Sequence, residues 1–456
     1  MDDVLRDAAA RAIRYRQGIG NRPVWPGAAA VEALGRLDEP LPAIRQDDAA
    51  VLALLDEIAS PATVATSGGR FFGFVVGSSL PSTLAANWLA GAWDQNAGAV
   101  IQSPAAARLE EVATRWMLDV LGLPEGCGTG FVTCATMANV SALAAARHAL
   151  LTRKGWDVEK HGLFGAPPIT VVVGEEVHVS VLKALGLLGL GRDRVVRIPV
   201  DDQGRMRADA LPPLDDHTIL CIQAGNVNTG AFDPADAIVP EARRAGAWVH
   251  VDGAFGLWAT AAPARAHLLA GYADADSWAT DAHKWLNVPY DSGIVFVREP
   301  QHLRGAMSTS AAYLVRGERR DPYDYTPEFS RRARGVEVWA ALRSLGREGL
   351  ADLVERSCRH ASRFADGLRG AGCAILNDVV INQVLVSFGD SEMTRQVIAA
   401  IQADGTCWVG GTVWQGHTAM RISVSSWATT DDDVERSLVA MVRAAEAVRR
   451  ARAHAS

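Results

Sequence analysis

Two stretches decide how this chain reads: Trp248-Val-His-Val-Asp252-Gly-Ala254 and, further on, Ser277-Trp-Ala-Thr-Asp281-Ala-His283-Lys284-Trp285. Each opens as a short apolar strand and closes on charged groups. Outward from them, similar runs alternate with helical stretches. Ile169–Val173, Val195–Ile198, Ile219–Gln223 and Gly293–Val297 read as strands, and Val177–Leu188 and Ala235–Ala245 as helices. Near-continuous apolar strands separated by helices predict an α/β fold, a mostly parallel sheet flanked by helices on both faces. Ligands of such sheets sit outside the carboxyl ends of the strands, where Asp252 and Lys284 fall.

The flanks read differently. Residues 1–65 carry helical patterning broken at Pro23, Pro26, Pro40 and Pro42, an N-terminal helical arm that cannot bury a core alone. The large α/β domain is expected over 66–335. A small C-terminal α+β domain follows over 336–456, with helices Val336–Leu345 and Leu350–Leu368, strands Val379–Phe388 and Ala419–Ser425, and a last helix from Asp431. The long irregular stretch 298–330 reads as functional or mobile. With 456 residues, 49% hydrophobic and 21% charged, the composition is that of a soluble globular chain of two or three domains. A net charge of −7 disfavours a nucleic-acid partner. Six cysteines without a C-x-x-C pair argue against a zinc site or a disulfide framework, so no metal is expected. No run of 18 apolar residues suggests a membrane span, and the acidic start Met1-Asp2-Asp3 is unlike a secretory signal. A cytoplasmic protein is expected.

A carboxylate at a buried strand end needs a partner, because desolvating it alone is costly. A lysine at the same mouth can lose its proton by desolvation and become a nucleophilic amine. Taken singly, Asp252 could be a helix cap and Lys284 a surface lysine. Together they supply what pyridoxal 5'-phosphate (PLP) requires: an acid for a cationic ring nitrogen and a lysine for a Schiff base.

At these residues the chain resembles the group II PLP-dependent decarboxylases of fold type I, the family of aromatic-L-amino-acid, glutamate and 2,4-diaminobutyrate decarboxylases. The pair Asp252-x-Ala254 and His283-Lys284-Trp285, with Lys284 32 positions after Asp252, carries the likeness. So do Gly73–Leu84, Ser103-Pro104 with Leu109-Glu110, and Arg331-Arg332-Ala-Arg334 with Trp339. The resemblance implies a PLP-dependent transferase fold, with the Schiff base on Lys284, His283 near the cofactor phosphate, Asp252 on the ring nitrogen, Ala254 under the ring and His178 stacked on its face. It puts the phosphate at Ala135 and Thr136 of Thr133-Cys134-Ala135-Thr136, where a helix N-terminus favours an anion. Thr133 and Cys134 depart from the Gly- and Ser-rich family loop. Asn226 or Asn228 falls near the cofactor's phenolic oxygen, with turn formation as the competing role. Asp281 stands where many relatives have asparagine; an acid there repels phosphate, so its backbone is the expected contributor.

The implied activity is decarboxylation of an L-amino acid to its amine and CO2 by a homodimer with active sites at the interface. The alternative is a PLP enzyme of another class: an aminotransferase, aldehyde synthase or carbon–carbon lyase. A non-catalytic binding protein is disfavoured by the joint presence of Asp252, His178 and Lys284. In the family, a tyrosine on a mobile loop returns a proton to the α-carbon. The corresponding loop, 308–330, offers Tyr313, Tyr323 and Tyr325, with Tyr325 the first candidate and Tyr323 the second. At pocket positions that are aromatic in the aromatic-acid enzymes, Phe74 remains, Val75 removes a ring and Gly98 leaves room. That weakens the case for an aromatic substrate without naming another.

Overall fold

The structure is a computed structural model that describes residues 1–309 and 320–455. Seven strands form its large sheet: β1 (Gly128–Val132), β2 (Thr170–Gly174), β3 (Val196–Ile198), β4 (Thr218–Gln223), β5 (Trp248–Asp252), β6 (Ser277–Asp281) and β7 (Gly293–Val297). Their order is β1-β7-β6-β5-β4-β2-β3. The strands from β3 to β6 pair in parallel, and β7 runs against both neighbours. All of β4, β5, β6 and β7 is buried, as sheets covered on both faces require.

The helix Ala135–Arg153 positions the site. Ala138, Ala142, Ala145, Ala146 and Ala149 share a buried cluster with Val173, Ala279 and Val295 of the sheet. Small side chains let the helix approach the strands closely, so its first turn comes up against β7. There a Cβ on Gly293 would lie 2.4 Å from the carbonyl carbon of Cys134.

The sequence pattern does not announce β1, because two of its five residues are glycines. A Cβ on Gly128 would meet the Pro300 Cα at 2.9 Å, and one on Gly130 the Tyr325 carbonyl oxygen at 2.3 Å. Close packing excludes the β-branched residues that would have advertised a strand. The two helices expected between 336 and 368 run within Gly335–Gly370, separated at Gly346, where φ is +59°.

The chain divides into two compact units. One comprises residues 77–361 and 377–384, the other residues 1–76, 362–376 and 385–456. This partition differs from the three consecutive segments read from the sequence, because the N-terminal stretch shares a core with the C-terminal segments. The helix Asp2–Gly18 buries none of its residues and Asp48–Ala62 only Ile58. Ile19, Val24, Ala65 and Phe71 instead pack with Trp408. A second sheet comprises β8 (Ala374–Ile375), β9 (Gln383–Ser387), β10 (Gly410–Trp414) and β11 (His417–Ser423), ordered β10-β11-β9-β8 and antiparallel at β10–β11 and β8–β9.

Candidate active site

The topology brings Asp252 and Asp281 to the carboxyl ends of neighbouring strands β5 and β6, with Lys284 in the turn just beyond. Asp252 is 5% exposed. Its Oδ1 accepts from the Ala254 N–H at 3.3 Å, and its Oδ2 accepts from Asn139 Nδ2 at 3.3 Å and the Ser180 hydroxyl at 3.5 Å. Lys284 Nζ lies 3.0 Å from Asp281 Oδ2. The other Asp281 oxygen accepts the Ala135 N–H at 2.5 Å, at the first turn of Ala135–Arg153. The carboxylate of Asp281 therefore takes up the Ala135 N–H, one of the groups expected for the phosphate, and holds the lysine as well. Its own N–H donates to the Ala254 carbonyl.

His283 is buried, and desolvation lowers its pKa. The Ser292 N–H donates to its Nδ1 at 3.1 Å, so in the neutral ring Nε2 carries the proton. That Nε2 faces Asp281 Oδ1 at 3.6 Å. The ring of Tyr290 stacks on His283 with centroids 4.3 Å apart. Sequence reasoning missed Tyr290; its position in the turn between Lys284 and β7 was the available signal.

His178 begins the helix Val179–Leu187, its Nδ1 accepting from the Ser180 N–H at 3.3 Å and lying 2.8 Å from Ser180 Oγ. It is thus both a helix cap and, through Ser180, a neighbour of Asp252. Asn226 is 1% exposed, and both ends of its side-chain amide are bonded. Oδ1 accepts from the N–H groups of Asn228 and Thr229, and Nδ2 donates to Glu176. The two bonds to Oδ1 are those of a turn former, and the bond to Glu176 ties the turn to the segment after β2.

The candidate loop tyrosines are not on a free loop. Tyr323 is buried and stacks on Phe329; Tyr325 is buried in the core with Val295 and Leu303, beneath the Arg320 guanidinium. Tyr313 lies outside the described residues. Gly98 opens no space, contrary to expectation: a Cβ there would meet the Phe329 carbonyl oxygen at 2.4 Å, so close backbone packing explains the glycine. In the other unit Val75 is buried, while Phe74 is exposed and stacks on Trp408 at 5.4 Å.

These groups fit PLP on their own chemistry. A buried carboxylate suits a cationic ring nitrogen, a partly buried amine suits a carbonyl carbon, and first-turn N–H groups without intrahelical acceptors suit a phosphate. Among the described residues, no group of three or more potential metal-ligating side chains comes together. Sheet order and donor set together define a PLP-dependent enzyme of fold type I.

Comparison with known proteins narrows this class. Residues 35–388 match the family described as "Pyridoxal-dependent decarboxylase conserved domain", and the chain belongs to that family. Tryptophan decarboxylase 1 of Oryza sativa subsp. japonica is 29% identical over 400 residues, 78% of this chain and 76% of the relative. The 4-hydroxyphenylacetaldehyde synthase of Rhodiola rosea is 25% identical over 453 residues, 92% of this chain and 90% of the relative. In three dimensions the crystal structure of Oryza sativa TDC with PLP and tryptamine matches with a TM-score of 0.89 at 23% identity, covering 98% of this chain and 97% of that one. The protein is a PLP-dependent carboxy-lyase acting on amino acids.

Proposed function

We propose that the chain converts an L-amino acid to its amine and CO2, with Lys284 carrying the cofactor. The observation that carries this reading is the juxtaposition at neighbouring strand ends of Asp252, buried and accepting three hydrogen bonds, with Lys284, whose amine is held 3.0 Å from Asp281. When bound, PLP supplies an electron sink for the pair left by the departing carboxyl group. Asp252 would hold the ring nitrogen in its cationic form. Asp281 would orient the Lys284 amine toward the cofactor's carbonyl carbon. Thr136 and the first-turn amides beyond Ala135 would hold the phosphate, joined by the Nε2–H of His283, while His178 and Ala254 would lie against the ring.

The proton returned to the α-carbon separates two outcomes. Tyr323 and Tyr325 are packed into the core. That favours a second reading, an aldehyde-forming reaction in which dissolved O2 takes up two electrons as hydrogen peroxide and ammonia leaves, so that amine is not the product. The Rhodiola rosea relative supports weighing it.

A homodimer is part of the proposal. Val51, Leu54 and Leu55 on the helix Asp48–Ala62, and Trp88, Leu89 and Trp93 on Pro81–Trp93, expose apolar side chains. Apolar clusters of this kind mark association surfaces. No described helix is long and apolar enough to cross a membrane. The six free thiols are compatible with a cytoplasmic setting.

The test incubates holoenzyme with a panel of common L-amino acids and follows CO2 and organic product together. Equal CO2 and amine from one substrate supports the first reading. CO2 with an aldehyde, ammonia and hydrogen peroxide, formed at the expense of dissolved O2, supports the second. An amino-group transfer that leaves the carboxyl group in place overturns both.

A further inference from the structure

Behind Asp252 lies a chain of buried polar side chains that the reaction as outlined does not use. Trp248, His250 and Asp252 alternate along β5 and therefore share one face of the sheet. The strand register pairs His250 directly with Ser277 of β6. Asn139 comes from the helix Ala135–Arg153, one turn beyond the amide that Asp281 engages. Asn139, His250 and Ser277 are completely buried, and Trp248 is 2% exposed.

The hydrogen bonds run in one direction. An indole N–H only donates and a carboxylate only accepts, so both ends are fixed. Trp248 Nε1 donates to Ser277 Oγ at 2.9 Å. Ser277 has one hydroxyl proton, which faces His250 Nδ1 at 2.9 Å. His250 Nε2 lies 2.9 Å from Asn139 Oδ1, and Asn139 Nδ2 donates to Asp252 Oδ2 at 3.3 Å and to Ser180 Oγ at 3.2 Å. With the other histidine tautomer, the Asn139 amide would have to flip, setting its oxygen against the Asp252 carboxylate. The network therefore assigns the proton to Nε2. Burial agrees, lowering the His250 pKa to about 4 and keeping the ring neutral.

A buried polar network is costly unless every member is satisfied, and an apolar core would have served a purely structural purpose. This one starts at Trp248, passes through Asn139 of the helix whose N-terminus is proposed for the phosphate, and ends on the acid proposed to face the cofactor ring. We propose that Asn139 and His250, braced by Ser277 and Trp248, are positioning residues that orient the Asp252 carboxylate and keep it ionised opposite the cofactor's ring nitrogen. The inference rests on the proposed role of Asp252.

The test uses holoenzyme reconstituted with ring-15N-labelled PLP and reads the nitrogen's protonation from its solid-state NMR shift, together with cofactor affinity by equilibrium dialysis. Asp252→Asn tests the underlying role and should move the resonance to the neutral-pyridine position. Asn139→Ala and His250→Phe should move it in the same direction and weaken cofactor binding about tenfold, the scale of one hydrogen bond to a charged group. His250→Gln keeps an N–H donor for Asn139 and should restore most of both. Should the larger replacements fail to fold, Ser277→Ala removes a single hydroxyl and should give a smaller shift of the same sign. If Asp252→Asn moves the resonance while Asn139→Ala, His250→Phe and Ser277→Ala leave it at the wild-type position, the relay is wrong and the Asp252 role stands. If Asp252→Asn leaves it unmoved, that role fails and the relay fails with it.

Discussion

Glu110 and Arg331 show what a single residue contributes. They lie far apart in sequence, and each belongs to a short motif noticed separately. In the fold they form an ion pair at 2.9 Å with both side chains essentially sealed from water. Arg331 also donates to the carbonyls of Ala97 and Phe131. Desolvation raises the Glu110 pKa, with Arg331 as the largest opposing effect. Removing one partner strands a buried charge, so Glu110→Ala should destabilise the protein by about 3–5 kcal/mol, measured by denaturant melts. His250 gives a pH prediction. Its ring has a pKa of 6.5 unperturbed and about 4 in the fold, so the unfolded chain takes up the proton first. Its contribution to stability is complete above pH 6.5 and declines as the pH falls toward 4, by up to about 3 kcal/mol. The difference in unfolding free energy between wild type and His250→Gln should shrink across that window. A pH-independent difference would contradict it. Such pairings are invisible in sequence, because charge complementarity does not say which acid meets which base.

At the scale of elements, the strands that carry chemistry were legible and the strand that closes the sheet was not. β5 and β6 announce themselves by apolar runs ending in charge. β1 hides because Gly128 and Gly130 are required by neighbouring backbone. The same physics misleads at Gly98, where the missing side chain accommodates the Phe329 carbonyl and opens no pocket. Asn226 could be placed after β4 from sequence, but only hydrogen-bond geometry shows its side chain closing the turn. The packing of β7 on the first turn of Ala135–Arg153 yields a prediction. Gly293→Ala would drive a methyl group into the Cys134 backbone, displacing the phosphate-facing turn. Cofactor affinity should fall by about tenfold or more, while near-native secondary structure persists in circular dichroism. Unchanged affinity would mean that the turn can yield.

For the whole molecule, sequence disclosed the α/β architecture and the acid–lysine pair, because both follow from local periodicity and strand-end placement. It did not disclose that the first 76 residues share a unit with the C-terminal segments, since that depends on contacts between distant parts of the chain. Exposed apolar side chains on Asp48–Ala62 and Pro81–Trp93 lead to the expectation of an obligate dimer. Sedimentation equilibrium at micromolar concentration should give twice the chain mass; an active monomer would contradict it. The central claim is that Lys284 carries the cofactor. The chain has only four lysines, Lys154, Lys160, Lys183 and Lys284, which makes the decisive measurement clean. Holoenzyme is reduced with borohydride, digested and mapped by mass spectrometry. The reduced pyridoxyl mass is expected on the peptide containing Lys284, and on no peptide of the Lys284→Ala protein. Stoichiometric label on Lys154, Lys160 or Lys183, or label that survives Lys284→Ala, would contradict it.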